Sequence, residues 1–150
     1  GEETPGTEHL IEGDAADFYT DPEMAKDFVE RTEIDALAAS FGTVHGIYLT
    51  EPKLDFARLK SIYENIQKPV VMHGGSGLSE EEYLTAINSG VRKINYYSYS
   101  AKAGAGAIKE YIDTHSDHFY HDFAVVAKEA IKKDVKRAME IFSNKHKVVR

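Results

Sequence analysis

Three short apolar runs, each entered from a helical stretch and each released into glycine or polar residues, constrain this chain more than any other feature. The runs are IDALAASFG (34–42), KPVVMHGG (68–75) and VRKINYYS (91–98). Before and between them lie TDPEMAKDFVERT (20–32), PKLDFARLKSIYENI (52–66) and SEEEYLTAINSG (79–90). The first of these has Thr20 or Asp21 as N-cap, Pro22 at the first helical position, and Met24, Ala25, Phe28 and Val29 on one face. The second spaces Leu54, Leu59, Ile62, Tyr63 and Ile66 as a helix does. The third carries a capping signature, Ser79 with Glu82 three residues on, and stops at Gly90. Two further helical segments follow the last strand, over 101–113 and 122–143.

Strands that are apolar throughout, joined by helices, imply an α/β fold with a parallel sheet covered on both faces. The glycine-rich and polar residues follow the strands' C-terminal ends, the edge where open α/β sheets and (β/α)8 barrels hold their ligands. A barrel takes eight strands and about 250 residues, whereas this chain of 150 residues shows three strands. The expected fold is therefore part of a TIM barrel. Three parallel strands by themselves leave unpaired edges and a bare inner face, so the missing part is expected as another chain or segment.

Composition narrows the function. With 42% hydrophobic and 29% charged residues the chain reads as soluble and globular. A formal charge of −7 and scattered Lys and Arg argue against a nucleic-acid partner, because phosphate backbones demand clustered cations. No run approaches the ~20 apolar residues of a membrane span, and no basic-then-apolar leader opens the chain. The absence of cysteine leaves His, Asp and Glu as the available metal ligands and fits a reducing compartment. A cytoplasmic location is expected. The opening GEETPGTEHLIEGDAADF has no initiating Met and reads as the middle of a loop, as if a longer protein were cut here or Gly1 were introduced by cloning.

Two of the strands end alike, at His45 followed by Gly46 and at His73 followed by Gly74, where two imidazoles can converge on one ion. Two histidines are a minimal metal signal, since a catalytic zinc takes about three protein ligands, and structural histidines at strand ends explain them equally well. HGGSG (73–77) adds backbone N–H groups and a hydroxyl at a turn entering a helix, a way to cradle phosphate oxygens. It is also what a tight turn needing positive φ would look like.

AASFGTVHGIY, PKLD, VVMHGGSG and VRKINYYS, in this order and spacing, resemble the C-terminal half of class II, metal-dependent fructose-bisphosphate aldolases and their ketose-bisphosphate relatives. The resemblance covers residues 20 to 100 well and the two ends loosely. It implies the C-terminal part of a (β/α)8 barrel: an active-site loop remnant in 1–20, barrel strands and helices in 20–100, and terminal helices in 101–150. It also implies metal ligation by His45 and His73. Gly46, Gly74 and Ser76 would bind the phosphate of dihydroxyacetone phosphate, with Asn95 and Ser98 completing that pocket. The family's Gly-Gly-Glu-Glu loop aligns with GEE at residues 1–3, which makes Glu3 the candidate base; a solvated acidic loop is the plain alternative. The implied cofactor is Zn2+ or another divalent metal, with a monovalent cation as a further candidate. The implied activity is reversible cleavage of a ketose 1,6-bisphosphate to dihydroxyacetone phosphate and an aldehyde, in a homodimer of the complete protein.

Departures from the family pattern sit at Leu49, where a Lys is common, and at Tyr97, where the family varies with the sugar used. The family's catalytic Asp, the neighbouring third metal-binding His and a metal-associated Glu all fall upstream of Gly1, so the chain alone is expected to be inactive. A second reading, of a different class, is a non-catalytic barrel fragment that binds a sugar phosphate or an assembly partner. A barrel isomerase or epimerase is a third.

Other features have plainer explanations. His115, His118 and His121 fit an exposed connection between helices better than a metal site. Tyr96, Tyr97 and Tyr99 are expected to pack at the barrel rim with their hydroxyls reaching water, and Tyr97 or Tyr99 is an alternative sugar contact. Arg92 and Lys93 are expected to be solvated. Ala127, Ala130, Ile131, Val135, Ala138 and Ile141 form the apolar face of an amphipathic terminal helix that packs on the barrel or on a second subunit.

Overall fold

Helix and strand alternate in the computed structural model, which describes residues 19–43 and 52–143. The order is α1 (Pro22–Thr32), β1 (Leu37–Ala38), α2 (Phe56–Ile66), β2 (Val70–Met72), α3 (Glu80–Asn88), β3 (Val91–Ile94), α4 (Ser98–Thr114) and α5 (Tyr120–Phe142). The first three helices are set by local chemistry. The Asp21 carboxylate accepts from the N–H groups of Glu23 and Met24 at 3.0 and 2.9 Å, and Pro22 opens α1. Asp55 caps α2 by accepting from the Arg58 N–H at 2.8 Å, which holds its carboxyl below the usual range. In α3, Ser79 and Glu82 form the full capping box.

The strands pair in parallel in the order β1-β2-β3. Leu37, Val70 and Val91 lie in one register and face the helices, and Val70 and Val91 are fully buried. Leu59 and Ile62 of α2 and Tyr83 and Ala86 of α3 pack against them in a single core. The other face carries Ala38, Val71 and Lys93, aligned across the three strands, and Ala38 and Lys93 are exposed there. The described residues thus cover one face of the sheet. A parallel sheet is normally covered on both, and the bare side is the one that a closed barrel turns inward.

Four expectations are corrected. The first strand is much shorter than 34–42, because the chain beyond Ala38 bonds sideways. Ser40 N–H donates to Thr20 Oγ1 and Thr20 N–H to the Ser40 carbonyl, both at 2.8 Å, while the Phe41 carbonyl accepts from Asp55 N–H at 2.8 Å. In α1, Ala25 and Val29 are buried against α2, but Met24 and Phe28 are 74% and 50% exposed. Among the described residues, α1 packs on α2 through Ala25 and Val29, and nothing buries Met24 or Phe28. The terminal helices begin earlier than predicted, at Ser98 and Tyr120 rather than 101 and 122. Ala101 N–H already reaches the Tyr97 carbonyl at 3.0 Å, and Asp122 accepts from Phe119 N–H at 2.8 Å. The Tyr96 hydroxyl does not reach for water but donates to Asp134 on α5 at 2.7 Å.

The terminal helices pair with each other, aided by Gly104 of α4, where a Cβ would come within 3.0 Å of the Ile131 side chain on α5. α5 then returns to the core. The Phe142 ring meets the edges of Tyr83 and Tyr96 at centroid distances of 4.9 and 5.9 Å. His115 stacks on Tyr111 at the end of α4, His118 lies in the connection beside Phe123, and His121 falls in the first turn of α5. Lys93 is exposed as expected, whereas Arg92, though exposed, turns its guanidinium to the chain, Nη1 donating to the Ile87 and Val91 carbonyls at 2.6 and 2.9 Å and the group lying 5.4 Å from the Tyr63 ring centroid.

Two predictions follow from this packing. Ser79→Ala should lower unfolding free energy by about 1 kcal/mol, measurable by chemical denaturation. Burial, and then the Asp134 carboxylate beside it, push the Tyr96 phenol up from 10.0 to about 12. The folded state therefore favours the neutral phenol, and its contribution to stability is full below pH 10 and is lost as pH rises towards 12. A phenolate absorbance titration should show one tyrosine ionising late, and Asp134→Asn should move that midpoint down.

Candidate functional site

Strand alternation carries His73, the residue after β2, onto the same side as Val71, the uncovered face of the sheet. Its ring is exposed there. Asn95 follows β3 in the same way, and its Nδ2 lies 3.1 Å from both ring nitrogens of His73. The backbones of the two strand exits are joined as well. Asn95 N–H donates to the Met72 carbonyl at 2.9 Å and Gly75 N–H to the Asn95 carbonyl at 3.2 Å.

Gly75 admits no side chain, since a Cβ would lie 2.7 Å from Ile94 Cγ2 and 3.2 Å from the Asn95 carbonyl oxygen. Gly77 has φ +87, and a Cβ there would meet the Tyr99 ring at 2.3 Å. Lys102 Nζ stands 5.9 Å from the centroid of that same ring. Ser76 is 4% exposed, and its Oγ accepts from the Tyr97 N–H at 2.9 Å. That bond ties the turn to the start of α4, where Ser98 holds the first helical position and no side chain caps the helix.

The arrangement has the makings of an anion cradle. Among the described residues, the N–H groups of Ser76 and Gly77 donate to no partner, and the uncapped first turn of a 17-residue helix lies beside them. His73 offers an imidazole nitrogen at the same edge, a donor suited to zinc and similar divalent ions. No three His, Asp or Glu side chains gather into a metal site among the described residues.

His73, Gly74, Ser76, Asn95 and Ser98 are thus placed along one edge, at the exits of β2 and β3. Glu3, His45, Gly46 and Leu49 lie outside the described residues. The approach to His45 is nevertheless held firmly. Phe41 is fully buried, and Gly42 at φ +115 packs so closely that a Cβ would sit 2.3 Å from the Lys53 carbonyl oxygen. Sequence reasoning missed Tyr83, whose buried hydroxyl donates to the Gly75 carbonyl. In the sequence it is one more large residue on an amphipathic helix, and nothing local marks its reach back to the turn.

Known proteins share this fold. The Escherichia coli protein YdjI is 37% identical over 132 residues, which cover 87% of this chain and 48% of YdjI. The crystal structure described as the YdjI aldolase superposes with a TM-score of 0.73 at 35% identity, over 86% of this chain and 47% of that one. A Coccidioides immitis structure, assigned provisionally as a fructose-1,6-bisphosphate aldolase, matches with a TM-score of 0.74 at 26% identity over 86% and 45%. The fold is shared too with fructose-bisphosphate aldolase from Campylobacter jejuni, with a TM-score of 0.72 at 23% identity over 85% and 46%. The chain spans about half the length of the relatives it matches, so its three-stranded sheet is part of a TIM barrel. With the class II fructose-bisphosphate aldolase profile matching residues 1–147, the chain belongs to that family and corresponds to the C-terminal half of its barrel.

Proposed function

We propose that this chain forms the C-terminal half of a metal-dependent aldolase that reversibly cleaves a ketose 1,6-bisphosphate to dihydroxyacetone phosphate and an aldehyde. It works together with the N-terminal half of the barrel, in a cytoplasmic homodimer, and is inactive without that half. The observation that carries this reading is the placement of His73 on the same short turn as the Ser76 and Gly77 N–H groups. A ligand held there by its phosphate presents its carbon chain towards the histidine.

Class II aldolases are generally metal-dependent, and His45 and His73 are the residues of this chain that would hold the ion. Zn2+, or another divalent metal, would supply Lewis-acid polarisation of the ketose oxygens. A monovalent cation is a further candidate in the phosphate pocket. Gly46, Gly74, Ser76, Asn95 and Ser98 would hold the phosphate and fix the orientation of the three-carbon fragment, turning an encounter into an oriented reaction. In the condensation direction Glu3, on the opening segment, would take the proton from the carbon that attacks the aldehyde. In cleavage it returns the proton to that carbon after the bond between C3 and C4 has broken. A loop closing over the pocket would keep water away. Asn95, within reach of the His73 ring, would orient the imidazole so that one nitrogen faces the ion.

The test uses the full-length protein. His45→Ala and His73→Ala should each lose stoichiometric zinc by elemental analysis and lower kcat/KM for bisphosphate cleavage by about 100-fold or more. Full zinc and full activity in both variants would sink the assignment. Binding of dihydroxyacetone phosphate by the wild-type protein, without any aldehyde release from ketose bisphosphates, would favour a non-catalytic sugar-phosphate-binding role.

A further inference from the structure

We propose that Tyr83 is a positioning residue for the phosphate cradle, acting through the peptide unit between Gly75 and Ser76. This rests on reading the 74–77 turn as the phosphate site. Tyr83 sits at the fourth position of α3, where its N–H closes on the Ser79 carbonyl at 3.1 Å, so the capping box of that helix sets its register. Its side chain is 1% exposed and wedged edge-on against Phe142 of α5. From there its hydroxyl reaches back eight residues and donates to the Gly75 carbonyl.

The consequence comes from peptide geometry. No described peptide bond is cis, and in a planar trans unit the carbonyl and the following N–H point in opposite directions. With the Gly75 carbonyl held towards α3 by Tyr83, the Ser76 N–H is turned away from α3. This is one of the two N–H groups of the turn that donate to no described residue. The preceding unit is fixed from the other side, because Gly75 N–H is held by the Asn95 carbonyl at 3.2 Å. Both polar groups of Gly75 are therefore committed, one to β3's exit and one to α3. A glycine would otherwise leave this stretch free to rotate.

Buried tyrosine hydroxyls usually find a partner, so a purely structural contact is the competing explanation, and the two differ in what they predict for binding. In the full-length protein, Tyr83→Phe should weaken binding of inorganic phosphate about tenfold by titration calorimetry, with zinc content unchanged. Tyr83→Leu, which removes ring and hydroxyl together, should lower the unfolding midpoint further than Tyr83→Phe while matching its loss of phosphate affinity. Unchanged phosphate affinity in Tyr83→Phe would overturn the proposal. So would affinities that track the unfolding midpoint across the two variants rather than the presence of the hydroxyl. A wild-type protein that binds no phosphate would overturn both this proposal and the phosphate reading of the turn; wild-type binding unaltered in Tyr83→Phe would overturn this proposal alone.

Discussion

The hydrogen bond from Gly75 N–H to the Asn95 carbonyl is the link on which the site depends. It continues the pairing of β2 and β3 one step past the end of the strands, after Asn95 N–H has already bonded the Met72 carbonyl. Two chain segments that would otherwise diverge at the edge of the sheet are kept together. Only glycine permits the approach, since Ile94 and the Asn95 carbonyl occupy the space of a side chain. Because the exits are joined, His73 meets the Asn95 amide, and Ser76 Oγ meets the first turn of α4.

Support for that link comes from the helical side of the sheet. Phe142 touches the rings of both Tyr83 and Tyr96, residues whose backbone or hydroxyl groups border the two joined exits. Tyr96 is held further by Asp134. The last helix is thus more than a surface cover: it braces the two exits from behind. The opposite face of the sheet, with Ala38, Val71 and Lys93, is left bare by the described residues. That asymmetry matches a chain spanning about half the length of its aldolase relatives.

Much of the architecture was legible in local sequence. Ser79 with Glu82, and Asp21 before Pro22, are signals read over three or four residues, and the caps form where they stand. HGGSG likewise marks the end of β2, whereas VRKINYYS, read as a strand over 91–98, pairs only over Val91–Ile94 and gives way to α4 at Ser98. What sequence misplaced depends on partners distant along the chain. The run 34–42 is apolar enough for a strand, yet Ser40 and Phe41 bond to residues 20 and 55 and leave the sheet. Met24 and Phe28 lie on the predicted face of α1, yet nothing among the described residues buries them.

By itself, then, the sequence determined the alternation of helices and strands, the capped starts of α1 and α3, the parallel sheet and the family, because each is written in short-range periodicity, caps and motif spacing. Tertiary structure alone decided which groups of the turn are spent and which are open. The Tyr83 hydroxyl, the Asn95 carbonyl and the Tyr97 N–H converge on Gly75 and Ser76 from three separate elements. A hydrogen bond between elements is set by how they pack, and no local pattern encodes it.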